Sequence, residues 1–227
     1  MIEELLPESA VAVEMLGDEA IREAPLYPEE AALVARAVPK RRREFAAVRA
    51  CARDAMEKLG VPPQPVVSGE RGAPRWPDGL VGSMTHCEGY CAAALVRATD
   101  LASLGIDAEP HAALPKGVAE AVLLPAERQR LTVLAAERPG VHWDRLLFSA
   151  KESVYKAWFP LTGKWLDFTE ADIELVPEPG ERPHGTLRAR LLVPGPEVGG
   201  RRLEVFAGRW SVGHGVLTSA VVVPHRS

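Results

Sequence analysis

Cysteine is scarce in this chain of 227 residues, which contains only Cys51, Cys87 and Cys91. An odd number of cysteines, without the paired spacing of metal ligands, argues against a disulfide framework and makes zinc a poor fit. We therefore expect reduced thiols, with Cys87 and Cys91 packed as small apolar side chains. Reduced thiols also favour a cytoplasmic location.

Long apolar runs and a strong excess of one charge are also missing. No apolar run reaches the roughly 18 residues that a membrane span requires, and residues 1–7 carry acids where a secretory signal peptide carries bases. The formal net charge of −4 argues against bulk binding of nucleic acid, although the basic run at 40–43 could meet a phosphate. We expect a soluble protein that binds neither membranes nor nucleic acid.

The chain does have ample apolar material, 47% of its residues, for one large core or two small ones. Hydrophobic periodicity and turn signals predict strands at 11–16, 80–84, 90–97, 104–109, 171–176, 187–193, 203–210 and 216–223, and helices at 28–37, 40–59, 116–137 and 143–159. A strand, two helices and further strands thus occur twice in order. We expect an α+β fold of two similar halves, 1–103 and 104–227, each with helices packed on a mainly antiparallel sheet.

Asp107 and Glu109 lie two residues apart in a predicted strand, so their side chains project to the same face. Two like charges on one face repel each other, which a fold tolerates in full solvent or around a cation. With Glu152 as a third oxygen donor, the set suits Mg²⁺, which takes a few carboxylates and completes its coordination with water and substrate phosphates. We therefore expect Asp107, Glu109 and Glu152 to form a metal site.

The predicted helix at 143–159 carries Glu152 and Lys156 four residues apart. They lie beside an apolar stripe formed by Leu147, Ala150, Val154, Ala157 and Trp158. On this segment alone, the simpler interpretation is a solvated ion pair that stabilises the helix by about 0.2–0.5 kcal/mol. The alternative is that both side chains take part in chemistry. We expect Pro160 to end the helix.

Arginines flank the apolar stripe of the predicted helix at 40–59. Arg49 lies at the side of this stripe, and Arg41 lies in line with it, one turn before its first large apolar residue. These arginines could border a cleft, or they could simply extend over the edge of the core into solvent. The strand end that contains Thr85 and His86 offers hydroxyls, backbone N–H groups and an imidazole that suit a phosphate. A single loop histidine is, however, more often structural.

Two motifs resemble the signatures of one family. Gly105-Ile106-Asp107-Ala108-Glu109 matches a G-I/V-D-x-E strand, and FSAKESVYK at 148–156 matches a W/F-x-x-K-E-A/S-x-x-K helix. On these motifs the chain resembles the 4′-phosphopantetheinyl transferases of the Sfp/EntD type, and residues 40–173 resemble their actinobacterial branch. The resemblance implies two α+β halves in a pseudo-twofold arrangement, with coenzyme A in the cleft between them.

The resemblance also implies a role for each candidate residue. Asp107, Glu109 and Glu152 would hold Mg²⁺, or Mn²⁺ in its place, together with the pyrophosphate of coenzyme A. Glu152 would act as general base, and Lys156 would meet the leaving phosphate. The first half would bind the 3′-phosphate, and the second would supply metal binding and catalysis. The implied contacts to coenzyme A are Arg41, Arg49, Arg71, Thr85, His86, Asp107, Glu152 and Lys156.

The implied reaction moves the phosphopantetheine arm of coenzyme A to a serine of an apo acyl carrier, peptidyl carrier or aryl carrier protein domain and releases 3′,5′-ADP. A fold duplicated within one chain suits a monomer. Two positions depart from the family pattern: Ala73 and Ser68 stand where relatives have lysine, so Arg71 or Arg75 would have to substitute. Two other functions remain open, a metal-dependent hydrolase of another pyrophosphate and a catalytically silent module that binds coenzyme A.

Overall fold

The computed structural model describes residues 1–17 and 24–225 of the chain. The helices in these ranges are α1 (Pro28–Leu33), α2 (Pro39–Lys58), α3 (Val118–Val122), α4 (Pro125–Glu137) and α5 (Trp143–Thr162). The strands are β1 (Val11–Leu16), β2 (Leu80–Cys87), β3 (Tyr90–Arg97), β4 (Leu101–Pro110), β5 (Ala171–Pro177), β6 (His184–Leu191), β7 (Glu197–Val198), β8 (Arg201–Arg202), β9 (Val205–Gly213) and β10 (Val216–Pro224). Across both ranges, no helix has the length and apolarity needed to cross a bilayer.

Two antiparallel sheets form the framework of the protein. The first has the strand order β1-β3-β2, and the second has the order β4-β10-β9-β6-β5. α2 packs its buried stripe against the first sheet, and α5 packs its own stripe against the second. The predicted α+β fold, with helices on mainly antiparallel sheets in two halves, is therefore confirmed. The three cysteines are free. Of the two expected to pack as small apolar side chains, Cys91 is fully buried and Cys87 is partly buried against the core, while Cys51 is also fully buried.

The two sheets meet where β2 and β4 run side by side. Oγ of Ser83 accepts a hydrogen bond from the backbone N–H of Ile106 at 3.0 Å, and Oγ1 of Thr85 accepts one from the backbone N–H of Ala108 at 3.0 Å. All four residues are buried. Because a buried N–H needs an acceptor, the two hydroxyls complete the edge of β4 and fix the register between the halves.

α5 lies very close to the second sheet because small residues line the contact. A Cβ at Gly105 would lie 2.1 Å from the carbonyl oxygen of Ser153 and 2.7 Å from the backbone nitrogen of Ala157. The hydroxyl of Ser219 in β10 lies 2.7 Å from that of Ser153 and 2.9 Å from that of Ser149. Glycine at position 105 thus allows α5 to approach β4.

Three predicted helix boundaries are wrong. The helix predicted at 28–37 ends as α1 at Leu33. Pro160 does not end α5, because the helix continues to Thr162 and stops at Gly163, whose φ of 64° is left-handed. Pro160 lies in the last turn, where the ring removes one backbone hydrogen bond without breaking a long helix. The helix predicted at 116–137 is two helices, because Pro125 begins a new one as α4.

Gly105→Ala should lower the free energy of unfolding by about 1–3 kcal/mol, because the added methyl group overpacks a backbone contact. Gly140→Ala is the matched control, since a Cβ at position 140 meets no atom within 4 Å. We expect the control to change stability by less than about 0.5 kcal/mol. Urea unfolding of both variants measures the difference, and equal values would contradict the close approach of α5 to β4.

Candidate active site

A cavity of about 610 Å³ lies at the junction of the two halves. The first half contributes α2, the loop at 68–76 and β2 to its wall, and the second half contributes β4 and α5. Eight of the nine residues predicted for the site line this cavity: Arg41, Arg49, Arg71, Thr85, His86, Asp107, Glu152 and Lys156. The ninth, Glu109, lies outside its lining. Arg75, the other arginine considered for the loop, also lies outside.

Asp107 is buried on the acidic side of the cavity. Its Oδ1 accepts hydrogen bonds from Nζ of Lys156 at 2.7 Å and from the hydroxyl of Thr85 at 3.3 Å. Its Oδ2 is, among the described residues, the one buried side-chain oxygen or nitrogen without a hydrogen-bond partner. Since a buried carboxylate oxygen without a donor is unfavourable, Oδ2 is a natural ligand for a cation.

Glu152 lies on the same cavity wall, and within the described part of the chain it forms no ion pair. Lys156 pairs with Asp107 instead. The interpretation of Glu152 and Lys156 as a surface ion pair is therefore wrong. Burial raises the pKa of Glu152; Lys156 opposes this shift, whereas Asp107 and Glu109 add to it. A raised pKa makes Glu152 a better proton acceptor than an ordinary carboxylate.

Glu109 is held by an arginine of α5. Nη1 of Arg145 donates to Oε2 of Glu109 at 2.8 Å, and the same guanidinium donates to the carbonyls of Ala112 and Ala113 at 3.3 and 2.8 Å. Burial raises the pKa of Glu109, and so does Asp107, while the contact with Arg145 lowers it. A metal site that includes Glu109 would therefore use a carboxylate whose Oε2 is already engaged by Arg145.

The donor set fits a hard divalent cation. No three acidic, histidine or cysteine side chains of residues 1–17 and 24–225 are grouped closely enough to enclose a metal ion. Asp107 and Glu152 nevertheless face one cavity, and Oδ2 of Asp107 lacks a donor. Mg²⁺ needs only one or two carboxylates where water and substrate phosphates supply the remaining ligands. Two carboxylates on the wall are therefore compatible with Mg²⁺ or Mn²⁺.

Arg49 lines the same cavity from α2 and is only 4% exposed. Its Nε donates to the carbonyl of Val66 at 2.9 Å, and its guanidinium carbon lies 3.1 Å from the ring centroid of Phe45. The interpretation that this side chain extends over the core into solvent is therefore wrong. Burial lowers the pKa of Arg49 to about 10, so the guanidinium keeps its charge at neutral pH. A desolvated guanidinium attracts an anion more strongly than an exposed one.

Arg41 and His86 form a second basic group at the cavity. Nη1 of Arg41 lies 2.6 Å from Nε2 of His86. Because a guanidinium can only donate, Nε2 is the acceptor and the imidazole is neutral, with its proton on Nδ1. Burial lowers the pKa of His86, and the nearby Arg41 lowers it further, while Glu44 opposes the shift. The imidazole thus holds the Arg41 guanidinium beside the cavity.

A second cavity of about 240 Å³ shares Glu152 and Tyr155 with the first. The ring of Tyr155 lies 5.0 Å from that of Trp165, and the guanidinium carbon of Arg71 lies 5.6 Å from the ring of Trp165. A loop of the first half therefore reaches the second half at the mouth of the site. Tyr155 and Trp165 were not among the site residues predicted from the sequence. The three-residue spacing from Glu152 to Tyr155 could have identified Tyr155, because it places both on one helix face.

Comparison with known proteins gives matches over both halves. The family model for the 4′-phosphopantetheinyl transferase N-terminal domain matches residues 29–96. The model for the 4′-phosphopantetheinyl transferase superfamily matches residues 103–193. The two matches together cover elements on both sides of the cavity.

Three curated relatives are similar over most of their length. The chain is 59% identical to the 4′-phosphopantetheinyl transferase Svp of Streptomyces mobaraensis, over 98% of this chain and 89% of the relative. It is 50% identical to PptT of Mycobacterium tuberculosis, over 86% and 85%, and 47% identical to Npt of Nocardia iowensis, over 97% and 99%. The relatives thus identify an α+β enzyme, and its cavity brings carboxylates and arginines together in one cleft. The chain belongs to the 4′-phosphopantetheinyl transferase superfamily.

The free energy of unfolding of the wild-type protein should fall more steeply with decreasing pH than that of a variant without the His86 imidazole. The unfolded chain protonates His86 near pH 6.5, whereas the lowered pKa delays protonation in the folded protein to lower pH. The unfolded state then binds more protons in this window, so the free energy of unfolding decreases as pH falls below about 6.5. Urea unfolding at several pH values should show a shallower slope for His86→Gln. Identical slopes would contradict a lowered pKa.

Proposed function

We propose that this enzyme transfers the 4′-phosphopantetheine arm of coenzyme A to a serine of an apo carrier protein domain, with Mg²⁺, and releases 3′,5′-ADP. One observation carries the proposal: the unpartnered Oδ2 of Asp107 and the buried Arg49 lie on the wall of one cavity. A pyrophosphate substrate that also bears a 3′-phosphate needs both kinds of partner. The relatives, which are called 4′-phosphopantetheinyl transferases, support the same reaction.

The first half, residues 1–103, would bind the 3′-phosphate end of coenzyme A. Arg49, Arg41 and His86 line this side of the cavity. A guanidinium can give a phosphate two parallel hydrogen bonds, and charge-assisted bonds are stronger than neutral ones. Arg71 lines the cavity from the loop in which Ala73 and Ser68 stand instead of lysine, and it would supply the missing positive charge.

The pantetheine arm would enter the second cavity. This cavity adjoins the first at Glu152 and Tyr155, and its other lining residues include Trp165, Leu166 and Phe168. Aromatic and aliphatic side chains suit the aliphatic segments of the arm. The pyrophosphate would then lie between the two cavities, next to Glu152.

The second half, residues 104–227, would hold the metal and perform the transfer. Asp107 and Glu152 would ligate Mg²⁺, with Oε1 of Glu109 as a third ligand, and the cation would neutralise charge on the pyrophosphate. Glu152 would accept the proton of the carrier serine as its oxygen attacks the phosphorus that bears the pantetheine arm. Lys156 would offer a positive charge to the phosphate oxygen that leaves with 3′,5′-ADP. Two similar halves within one chain suit a monomer.

The reaction is tested by incubating the protein with coenzyme A, Mg²⁺ and apo acyl, peptidyl or aryl carrier domains. Mass spectrometry should show the mass of the arm on the carrier serine and an equal amount of 3′,5′-ADP. Glu152→Gln is the control variant, because an amide keeps the shape but accepts no proton. We expect its single-turnover rate to fall by about a hundredfold or more. Release of 3′,5′-ADP without a modified carrier would indicate a hydrolase instead.

Arg49→Ala should raise the KM for coenzyme A far more than the KM for dephospho-coenzyme A. Charge-assisted hydrogen bonds contribute roughly 1.5–3 kcal/mol, so we expect at least about a tenfold change in the ratio of the two KM values. Arg42→Ala is the matched control, since it removes the same charge from α2 outside the cavity lining. Equal weakening of both substrates by Arg49→Ala would make Arg49 a packing residue.

A further inference from the structure

We infer that Thr85 positions the metal-binding carboxylate of Asp107 and does not itself bind a phosphate of coenzyme A. The inference rests on the metal dependence proposed above. It departs from the expectation, taken from the family resemblance, that the Thr85 side chain grips the substrate. The reason lies in how the hydrogen bonds of this one hydroxyl are used.

A threonine hydroxyl has one proton to donate and two lone pairs to accept with. Oγ1 of Thr85 accepts the backbone N–H of Ala108 at 3.0 Å. It also lies 3.3 Å from Oδ1 of Asp107, and because an ionised carboxylate only accepts, Thr85 must be the donor in this contact. The single proton of Thr85 is therefore committed to Asp107. A phosphate oxygen, which is likewise an acceptor, finds no free proton there.

The contact decides which oxygen of Asp107 remains for a cation. Oδ1 is occupied by Thr85 and by Nζ of Lys156, which donates to it at 2.7 Å. Among the described residues, Oδ2 has no hydrogen-bond partner although it is buried. Two donors on one oxygen fix the plane of the carboxylate, so Oδ2 stays available to a metal. Hydrogen bonds of this kind orient ligands and raise metal affinity in other proteins.

Ser83 provides an internal comparison. Its hydroxyl accepts the backbone N–H of Ile106 at 3.0 Å, which is the same bridge between β2 and β4 that Thr85 makes. The hydrogen bonds of Ser83, however, do not extend to a carboxylate of the site. A variant of Ser83 therefore shows what loss of one bridge does to the junction, without loss of the contact to Asp107.

The test compares Thr85→Val, which keeps the shape and removes the hydroxyl, with Thr85→Ser and Ser83→Ala. Mn²⁺ binding to each protein with coenzyme A present is measured by electron paramagnetic resonance, and coenzyme A binding without metal by calorimetry. We expect Thr85→Val to weaken Mn²⁺ binding by roughly tenfold to a hundredfold. Thr85→Ser should retain it, and metal-free affinity for coenzyme A should be unchanged in all three. If Thr85→Val does not fold, Thr85→Ala takes its place.

Three results would overturn the inference. The first is unchanged Mn²⁺ binding by Thr85→Val, and the second is weaker coenzyme A binding by this variant without metal, which would make Thr85 a phosphate ligand. The third is an equal loss of Mn²⁺ binding in Ser83→Ala, which would assign the effect to the junction between the halves. The carrier modification assay on the same preparations tests the proposed function separately. If the wild-type protein modifies the carrier but Thr85→Val binds Mn²⁺ normally, only the inference about Thr85 is refuted.

Discussion

The contact between β2 and β4 determines where the cleft of this enzyme can form. Ser83 and Thr85 use side-chain hydroxyls where a continuous sheet would use backbone carbonyls. A carbonyl only accepts hydrogen bonds, whereas a hydroxyl accepts and donates at once. The junction can therefore satisfy the edge of β4 and still provide a donor to Asp107. A continuous backbone ladder would have merged the two sheets and left that carboxylate to Lys156 alone.

The net charge of the chain says little about this cleft. The protein is acidic as a whole, with a net charge of −4. The cavity nevertheless gathers Arg41, Arg49 and Lys156 on its walls, beside two carboxylates. Burial strengthens the charge of Arg49 because water screens it poorly there, whereas Arg41 is exposed. A substrate with several phosphates thus meets a strong local attraction on a surface that repels polyanions in general.

Much of the fold and of the candidate site follows from local sequence patterns. Strand alternation identifies Asp107 as a candidate ligand. The roles of Glu152 and Lys156 come instead from the family resemblance, because their helical spacing alone favoured a solvated ion pair. What local patterns do not supply is the choice of partner. Lys156 could have paired with Glu152 one turn away, yet it pairs with Asp107 on another element. Glu109 likewise forms an ion pair with Arg145, which is 36 residues further along the chain. Such long-range pairings depend on how the helices and sheets pack.

The order of strands in the second sheet also bears on how the protein is made. β4, which carries Asp107, has β10 as its only neighbour in that sheet, and β10 is the last strand of the described residues. The ribosome must therefore deliver residues 216–224 before β4 can form its ladder. Until then, the edge of β4 that pairs with β10 stays unpaired. Contacts between strands so far apart in the sequence form slowly, and unpaired strand edges favour aggregation of nascent chains.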